Sequence, residues 1–340
     1  MPRREERGGL FVERPRYVHL PGRAAGNARR FARAGLRLIL GKRILGKRNW
    51  GPDAFEVPEV VVCDYAWPAS AAAPRLAELG VPCVVSGRGS DVLEVGGEAG
   101  LGDELAGYLR AAGHWCAVSE DLVCAMDELA GQAGRGRLVP NGVDLELFRV
   151  RDRAAARRAL ELPPDGRLVL VVGHLIPRKD PLLALDVFGR GAPADATCAF
   201  LGRGPLCAKL EAAALGAGLA GRVRLVGEVT PERLGGWYAA CNCLLVTSRR
   251  EGRPNVVLEA LACGRPVLAT EAGGTAELLV TLPELLAATR DPAELGRRLA
   301  ALLDAPPDAE LLRRAAAPHS WEKSFERLEA CLEDAVREAA

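Results

Sequence analysis

An excess of charge of either sign is missing from this chain: its 340 residues hold 45 Lys plus Arg against 44 Asp plus Glu. That balance gives no reason to expect a nucleic-acid partner. Metal-ligand spacing is missing too. The ten cysteines include no Cys-x-x-Cys pair, and Cys241 and Cys243 lie close together in an apolar run, not in a zinc knuckle. Cysteines such as Cys63, Cys83, Cys198 and Cys263 read instead as small buried hydrophobes of a reducing compartment. His19, His114 and His319 stand isolated, which suits ordinary structural positions better than metal ligands. The opening Met1-Pro-Arg-Arg-Glu-Glu-Arg-Gly-Gly-Leu10 has no apolar core of a secretory signal. No apolar run approaches the roughly 20 residues that a membrane span requires. Together these absences predict a cytoplasmic protein.

What is present is a composition of 49% apolar and 26% charged residues, with length enough for two domains. From about residue 57 onward, short apolar runs alternate with helical patterns, which predicts an α/β fold with parallel sheets. Candidate strands are Val57–Cys63, Pro82–Ser86, Trp115–Ser119 and Arg137–Val139, with helical patterns at Ala69–Leu79 and Glu120–Ala130. A second series follows Pro163-Pro164, with strands at Leu168–Gly173, Cys198–Gly202, Val223–Gly227, Cys243–Thr247 and Pro266–Thr270. Its helices are expected near Pro181–Gly189, Pro205–Leu215, Pro231–Ala240 and Pro254–Cys263, several opening with proline, whose missing N–H does no harm in a first turn. Two doubly wound halves therefore meet near residues 141–165, and ligands in such folds sit beyond the carboxyl ends of the strands.

The most informative stretch is Glu251-Gly-Arg-Pro-Asn-Val-Val-Leu-Glu259, followed by Ala-Leu-Ala-Cys263-Gly264-Arg265-Pro266-Val267. It reads as a strand end, a loop with one acid, a helix carrying a second acid, and another strand. The helix start offers unpaired N–H groups and a partial positive charge, which suits a diphosphate. Glu259, in the second turn, leans back toward that end and can accept hydrogen bonds from a ribose diol. Glu251 would face the hydroxyls of a transferred sugar, and Gly252 leaves the backbone free to approach a ligand. Two acids eight residues apart would otherwise read as solvated surface charges; the surrounding pattern is what raises them above that.

This segment resembles the E-x7-E signature of glycosyltransferase family 4, and its neighbours agree. Val139-Pro-Asn141-Gly142-Val-Asp-Leu-Glu-Leu-Phe148 is similar to the family's linker. Val172-Gly173-His174-Leu-Ile-Pro-Arg178-Lys179 resembles its pyrophosphate loop, and Leu201-Gly202-Arg-Gly204-Pro205 its G-x-G-P turn. Ala272-Gly273-Gly274-Thr275 resembles the loop whose amides face the donor. The likeness spans about residues 57–340. It implies a GT-B fold: two Rossmann-like doubly wound domains facing a central cleft, the first of them shortened. The expected layout is an acceptor-side domain over 1–145 (atypical over 1–56), a nucleotide-sugar domain over 146–318, and a final helix over 319–340 packing back toward the first.

The resemblance implies a retaining hexosyltransferase in which the donor phosphate helps to deprotonate the acceptor. Glu251, Lys179 and Arg178 are the catalytic candidates, the two cations offsetting charge on the departing diphosphate. No Asp-x-Asp triplet occurs, so the basic pair is expected to do the work of a metal. The donor would be held by Glu259, Gly173, His174, Gly202, Gly204, Gly252, Pro254, Asn255, Val256, Gly273 and Gly274. Arg88, Gly89, Ser90, Asp91, Ser119 and Asn141 are the acceptor-side candidates. Of these, Ser86-Gly-Arg88-Gly89-Ser90-Asp91 is similar to the family's H-G-x-D-type loop, and Ser119-Glu120 to its V-S-E turn. No cofactor is expected beyond a UDP- or GDP-sugar as co-substrate, and the partner would be a saccharide or lipid-linked acceptor. The bland readings stay open beside these: a surface turn for 86–91, a helix cap for Ser119, a solvated pair for Arg178-Lys179.

Several positions depart from the family pattern. Arg88 stands where many relatives carry His, His174 where many carry Arg, and Arg253 where an apolar or aromatic residue is common. Asp180 replaces the glycine after the lysine and brings an acid near the phosphates. Residues 1–56 lack the opening strand and glycine-rich loop, so a shortened or incomplete first domain is expected. Within them, 28–50 is a basic segment with Phe31, Leu36, Leu38, Ile39, Leu40, Ile44 and Leu45, suited to docking on an anionic membrane face or to covering a sheet edge. The alternatives kept beside a transferase are a degenerate nucleotide-sugar-binding homologue and a sugar-nucleotide epimerase of the same fold.

Overall fold

The computed structural model describes residues 58–340 throughout, the backbone of residues 4–7 and 10–13, and positions 28, 29, 32 and 36. The rest of the basic segment 28–50, and His19, lie outside the described residues. At the chain start, β1 (Arg4–Arg7) and β2 (Leu10–Glu13) pair antiparallel, with Arg7 opposite Leu10. The dipeptide between them is Gly8-Gly9, a sequence that favours tight hairpin connections; the sequence reading had placed no strand here.

The chain divides into two compact units, one of residues 1–139 with 326–340 and the other of residues 140–325. In the first, β3 (Val61–Asp64), β4 (Cys83–Gly87), β5 (Gly113–Ala117) and β6 (Arg137–Leu138) form a parallel sheet in that order. β4 is buried along its whole length, as a strand covered on both faces must be, and so carries a continuous Cys-Val-Val run in place of an alternating one. Helices Leu101–Ala112 and Glu120–Ala130 cover it through Leu105, Leu109, Leu122 and Met126. Ala28 and Ala32 are buried, and Arg29 reaches Glu104 at 3.3 Å. The last helix, Trp321–Ala339, places Cys331 and Ala335 against Val84, Cys116 and Val139.

In the second unit β7 (Leu168–Val172), β8 (Thr197–Leu201), β9 (Val223–Gly227), β10 (Cys243–Val246), β11 (Val267–Thr270) and β12 (Leu286–Ala287) form a six-stranded sheet. Its spatial order is β12-β11-β10-β7-β8-β9, and every registered pair is parallel. The chain starts at the centre, winds outward to β9, then returns to β10 on the other side of β7. The switch point between β7 and β10 is therefore where a ligand crevice is expected. Pro181 and Pro231 do open their helices, whereas Pro254 is an N-cap and Pro205 precedes a helix that begins at Cys207.

Helices Pro181–Gly191 and Pro292–Asp304 cross at two glycines: a Cβ on Gly191 would lie 2.0 Å from the Gly296 carbonyl oxygen. Neither backbone can yield without separating the helices. Gly191→Ala should therefore destabilise by about 1–3 kcal/mol, the usual cost of overpacking. Gly216→Ala is the control, with no atom within 4 Å of its added Cβ. It should be neutral or gain up to about 1 kcal/mol. Denaturant unfolding of the two variants checks both.

Candidate functional site

The loops leaving β7 and β10 bring the catalytic candidates together. Glu251 is 6% exposed, and a carboxylate taken that far from water needs cations to stay charged. Lys179 Nζ donates to its Oε1 at 2.5 Å and Arg178 lies 3.6 Å from its Oε2. The dibasic corner is held to the β10 loop by two further bonds: Arg249 N–H donates to the Arg178 carbonyl at 2.8 Å, and the Arg178 guanidinium to the Arg250 carbonyl at 3.3 Å. Beside the corner is a small pocket lined by Gly173, His174, Lys179, Thr247, Ser248 and Val256.

Glu259 sits in the second turn of the Asn255–Ala262 helix and accepts a hydrogen bond from the Tyr238 hydroxyl at 2.8 Å. Burial pushes its carboxyl above the ordinary range, and the Tyr238 contact opposes that rise. Burial and the nearby carboxylate hold the Tyr238 phenol well above its own ordinary value, so it remains a donor. Pro254 N-caps this helix, and Asn255 Oδ1 accepts from Asn141 Nδ2 at 3.1 Å. Asn141, expected on the acceptor side, lies in the second unit and is tied to Asn255, which was expected at the donor.

The glycines expected at the donor mostly brace one another. Gly173 N–H donates to Leu201 and Gly202 N–H to Gly227, while Leu175 N–H donates to Arg203 and Leu206 N–H to Leu175. The turn Gly202–Gly204 therefore buttresses the Gly173–Leu175 loop. Gly274 N–H goes to the Gly252 carbonyl at 3.1 Å, not outward. Gly273 has φ +50, and a Cβ there would lie 2.0 Å from the Glu251 carbonyl oxygen, so only glycine lets this loop pack on the Glu251 backbone.

The departures from the family pattern acquire physical reasons. Asp180 has φ 48, the left-handed region where glycine is favoured and Asp is tolerated. Its carboxylate caps the Pro181 helix through Leu183 N–H and pairs with Arg249 and Arg290, each at 2.7 Å. Arg253 is buried, 3.3 Å from Glu277 and 3.2 Å from His319 Nδ1. His174 is exposed. Sequence reasoning missed Tyr238, Glu277 and Arg290, whose partners lie 20 to 110 positions away along the chain.

In the first unit, Arg88 Nε donates to Asp64 Oδ1 at 2.7 Å at the carboxyl ends of β3 and β4. Asp91 is buried and accepts from the N–H groups of Ala66, Arg88 and Gly89, with bonds as short as 2.6 Å. Burial raises its pKa and those amides oppose the rise. It holds the turn together, and Ser90 opens the following helix. Ser119 is fully buried, does not cap its helix, and its hydroxyl has no hydrogen-bond partner among the described residues.

Two α/β units, each built on a parallel sheet, make up the GT-B fold, and solved structures agree. A sucrose-phosphate synthase from Thermosynechococcus elongatus superposes with a TM-score of 0.80 at 21% identity, over 100% of this chain and 87% of that one. The Anabaena protein HepE in complex with UDP gives 0.72 at 19% identity, over 81% of this chain and 78% of its own. In sequence, residues 166–305 match the family model described as Glycosyl transferases group 1. Curated relatives include D-inositol 3-phosphate glycosyltransferases of Acidothermus cellulolyticus and Mycobacterium avium. The former is 34% identical over 229 residues, covering 63% of this chain and 51% of the relative. The latter is 34% identical over 259 residues, covering 70% of this chain and 60% of the relative. The chain thus spans about half the length of the first of these relatives. The His174–Lys179 stretch on its own is most similar to exopolysaccharide and teichuronic-acid-type transferases, a narrower likeness to which the name of these relatives lends no support.

Since the folded chain holds the Glu259 proton more tightly than the unfolded chain does, stability falls as pH rises from the ordinary carboxyl value to the raised one. Glu259→Gln keeps an acceptor for Tyr238 and removes the buried charge. The variant should melt higher than wild type at neutral pH, by an amount that shrinks toward pH 4. Melting temperatures of both proteins across that range would refute this if the gap stayed constant.

Proposed function

We propose that this chain is a retaining, metal-independent glycosyltransferase taking a hexose from a UDP- or GDP-linked donor bound by the 140–325 unit. The observation that carries this reading is the Glu251 carboxylate, gripped by Lys179 and Arg178 at the start of the helix that carries Glu259. A diphosphate entering beside the Asn255 helix start meets the partial positive charge there and competes with Glu251 for the two cations. Glu251 is then free to accept from the sugar's hydroxyls, and Glu259 to accept from the ribose. As the sugar–phosphate bond breaks, negative charge grows on the diphosphate, where cations already in place stabilise it without reorganising.

The acceptor is a polyhydroxylated molecule, free, polymeric or lipid-linked, engaged by the first unit through Arg88 and the Ser86–Asp91 turn. The name shared by the curated relatives makes an inositol phosphate the first acceptor to assay, and Arg88 supplies chemistry suited to a phosphate. For a lipid-linked acceptor, the basic stretch 28–50 would hold the protein at an anionic membrane face, such as the inner face of the cytoplasmic membrane. Among the described residues no helix is long and apolar enough to cross a membrane.

Thermal stabilisation by UDP-, GDP-, ADP- and dTDP-sugars tests the donor site. One nucleotide class should raise the melting temperature of wild type but not of Glu259→Ala; stabilisation by none of them would sink the proposal. Once a donor and acceptor are paired, Lys179→Ala should lower kcat by roughly 10²–10³-fold, as for loss of one transition-state donor. Unchanged turnover would show that the diphosphate lies elsewhere.

A further inference from the structure

We propose that Arg290 is a positioning residue that aims the Arg178-Lys179 corner at the donor's β-phosphate, acting through Asp180. This inference rests on the donor-site reading above. The Arg290 guanidinium joins three elements that sequence order keeps far apart. One arm donates to the Ser248 carbonyl at 2.8 Å, beyond β10, and to Thr270 Oγ1 at 3.2 Å, at the end of β11. The other donates to Thr247 O at 2.9 Å and to Asp180 Oδ2 at 2.7 Å. Arg290 is itself fixed by the following residue, since Asp291 N-caps the Pro292–Asp304 helix.

The corner it grips needs such a hold. Asp180 sits at φ 48, a conformation that costs a non-glycine residue energy unless its surroundings impose it. Arg249 takes the same Asp180 oxygen at 2.7 Å, and Thr247 Oγ1 donates back to the Asp180 carbonyl at 2.9 Å and the Lys179 carbonyl at 3.3 Å. The backbone on both sides of Lys179 is thereby fixed relative to β10, and with it the origin of the ammonium that meets Glu251. The Asp180–Arg290 pair also cancels the acid's charge, so an Asp beside the dibasic corner does not repel a diphosphate. A lysine could match the charge of Arg290 but not its fork, which serves four acceptors at fixed angles.

The test compares binding of nucleoside diphosphates with that of the matching monophosphates, because the β-phosphate is what the corner is held to meet. Wild type is first titrated with UDP, GDP, ADP and dTDP; if none binds, the donor site falls and this inference with it. For the nucleotide that binds, the ratio of monophosphate to diphosphate Kd is measured in wild type, Arg290→Ala, Arg290→Gln and Arg290→Lys, with melting temperatures alongside. The ratio should fall about tenfold in the Ala and Gln variants, below the roughly 10²–10³-fold typical of losing a direct donor. Monophosphate affinity should hold within about twofold, and Lys should restore only part of the ratio. If Arg290→Ala does not fold, Arg290→Gln decides alone. An unchanged ratio in a folded variant overturns the proposal, and so does an equal loss of monophosphate and diphosphate binding, which would mark Arg290 as a general brace.

Discussion

Parallel strands that end side by side crowd their last carbonyls and the following loops onto one edge, and donors must be brought to that edge from elsewhere. In the second unit this requirement falls on β7, β10 and β11. Arginine answers it: Arg290 supplies N–H groups to Thr247, Ser248 and Thr270, and the loop after β10 returns its own amide at Arg249 to the Arg178 carbonyl. Two carboxylates, each shared between two cations, result at that edge. Asp180 with Arg249 and Arg290 is bound into the framework, while Glu251 with Lys179 and Arg178 stands beside the pocket. The first cluster is saturated by its surroundings. In the second, an incoming anion would take the two cations from Glu251, whose buried charge the hydroxyls of the proposed sugar would then have to meet.

Much of this is legible in the sequence. Strand positions in both units fall within a few residues of the apolar runs, because a strand covered on both faces has to be continuously apolar. Glu251, Lys179 and Arg178 were grouped from motif order, and they do converge. What was hidden depends on long-range pairing. Nothing near Thr289-Arg290-Asp291 announces that its guanidinium reaches Asp180, and Tyr238 reads as an ordinary core aromatic until its hydroxyl meets Glu259. Two misses did have local signals. Gly8-Gly9 between short strands is a hairpin dipeptide. The helix Leu101–Ala112 carries Leu101, Leu105 and Leu109 four residues apart on one buried face, a stripe that Gly102 and Gly107 make easy to overlook.

The two units differ in how firmly their polar groups are committed. Around β7 and β10 nearly every charged side chain has a named partner, and the glycine turns brace each other through backbone bonds. At the carboxyl ends of β3 to β5 the turn is held by Asp91, but Arg88 and Asp64 pair at the surface, where an ion pair is worth little and is readily exchanged. The buried Ser119 hydroxyl, just beyond β5, has no protein partner among the described residues. On the proposed function this contrast has a use: a site for one constant nucleotide can be rigid, and one for a variable polyol gains from contacts that are easily given up.

The last helix has a consequence for how the chain can be cut. Its residues up to Phe325 belong to the 140–325 unit, whereas Glu326 onward completes the unit that begins the chain. The 140–325 unit is therefore one uninterrupted stretch, while the other is discontinuous and is assembled from two distant pieces. Removing the final fifteen residues would take Cys331 and Ala335 away from Val84, Cys116 and Val139 and bare the back of the first sheet. A truncation within residues 326–340 is in this protein a lesion in the unit built on β3 to β6.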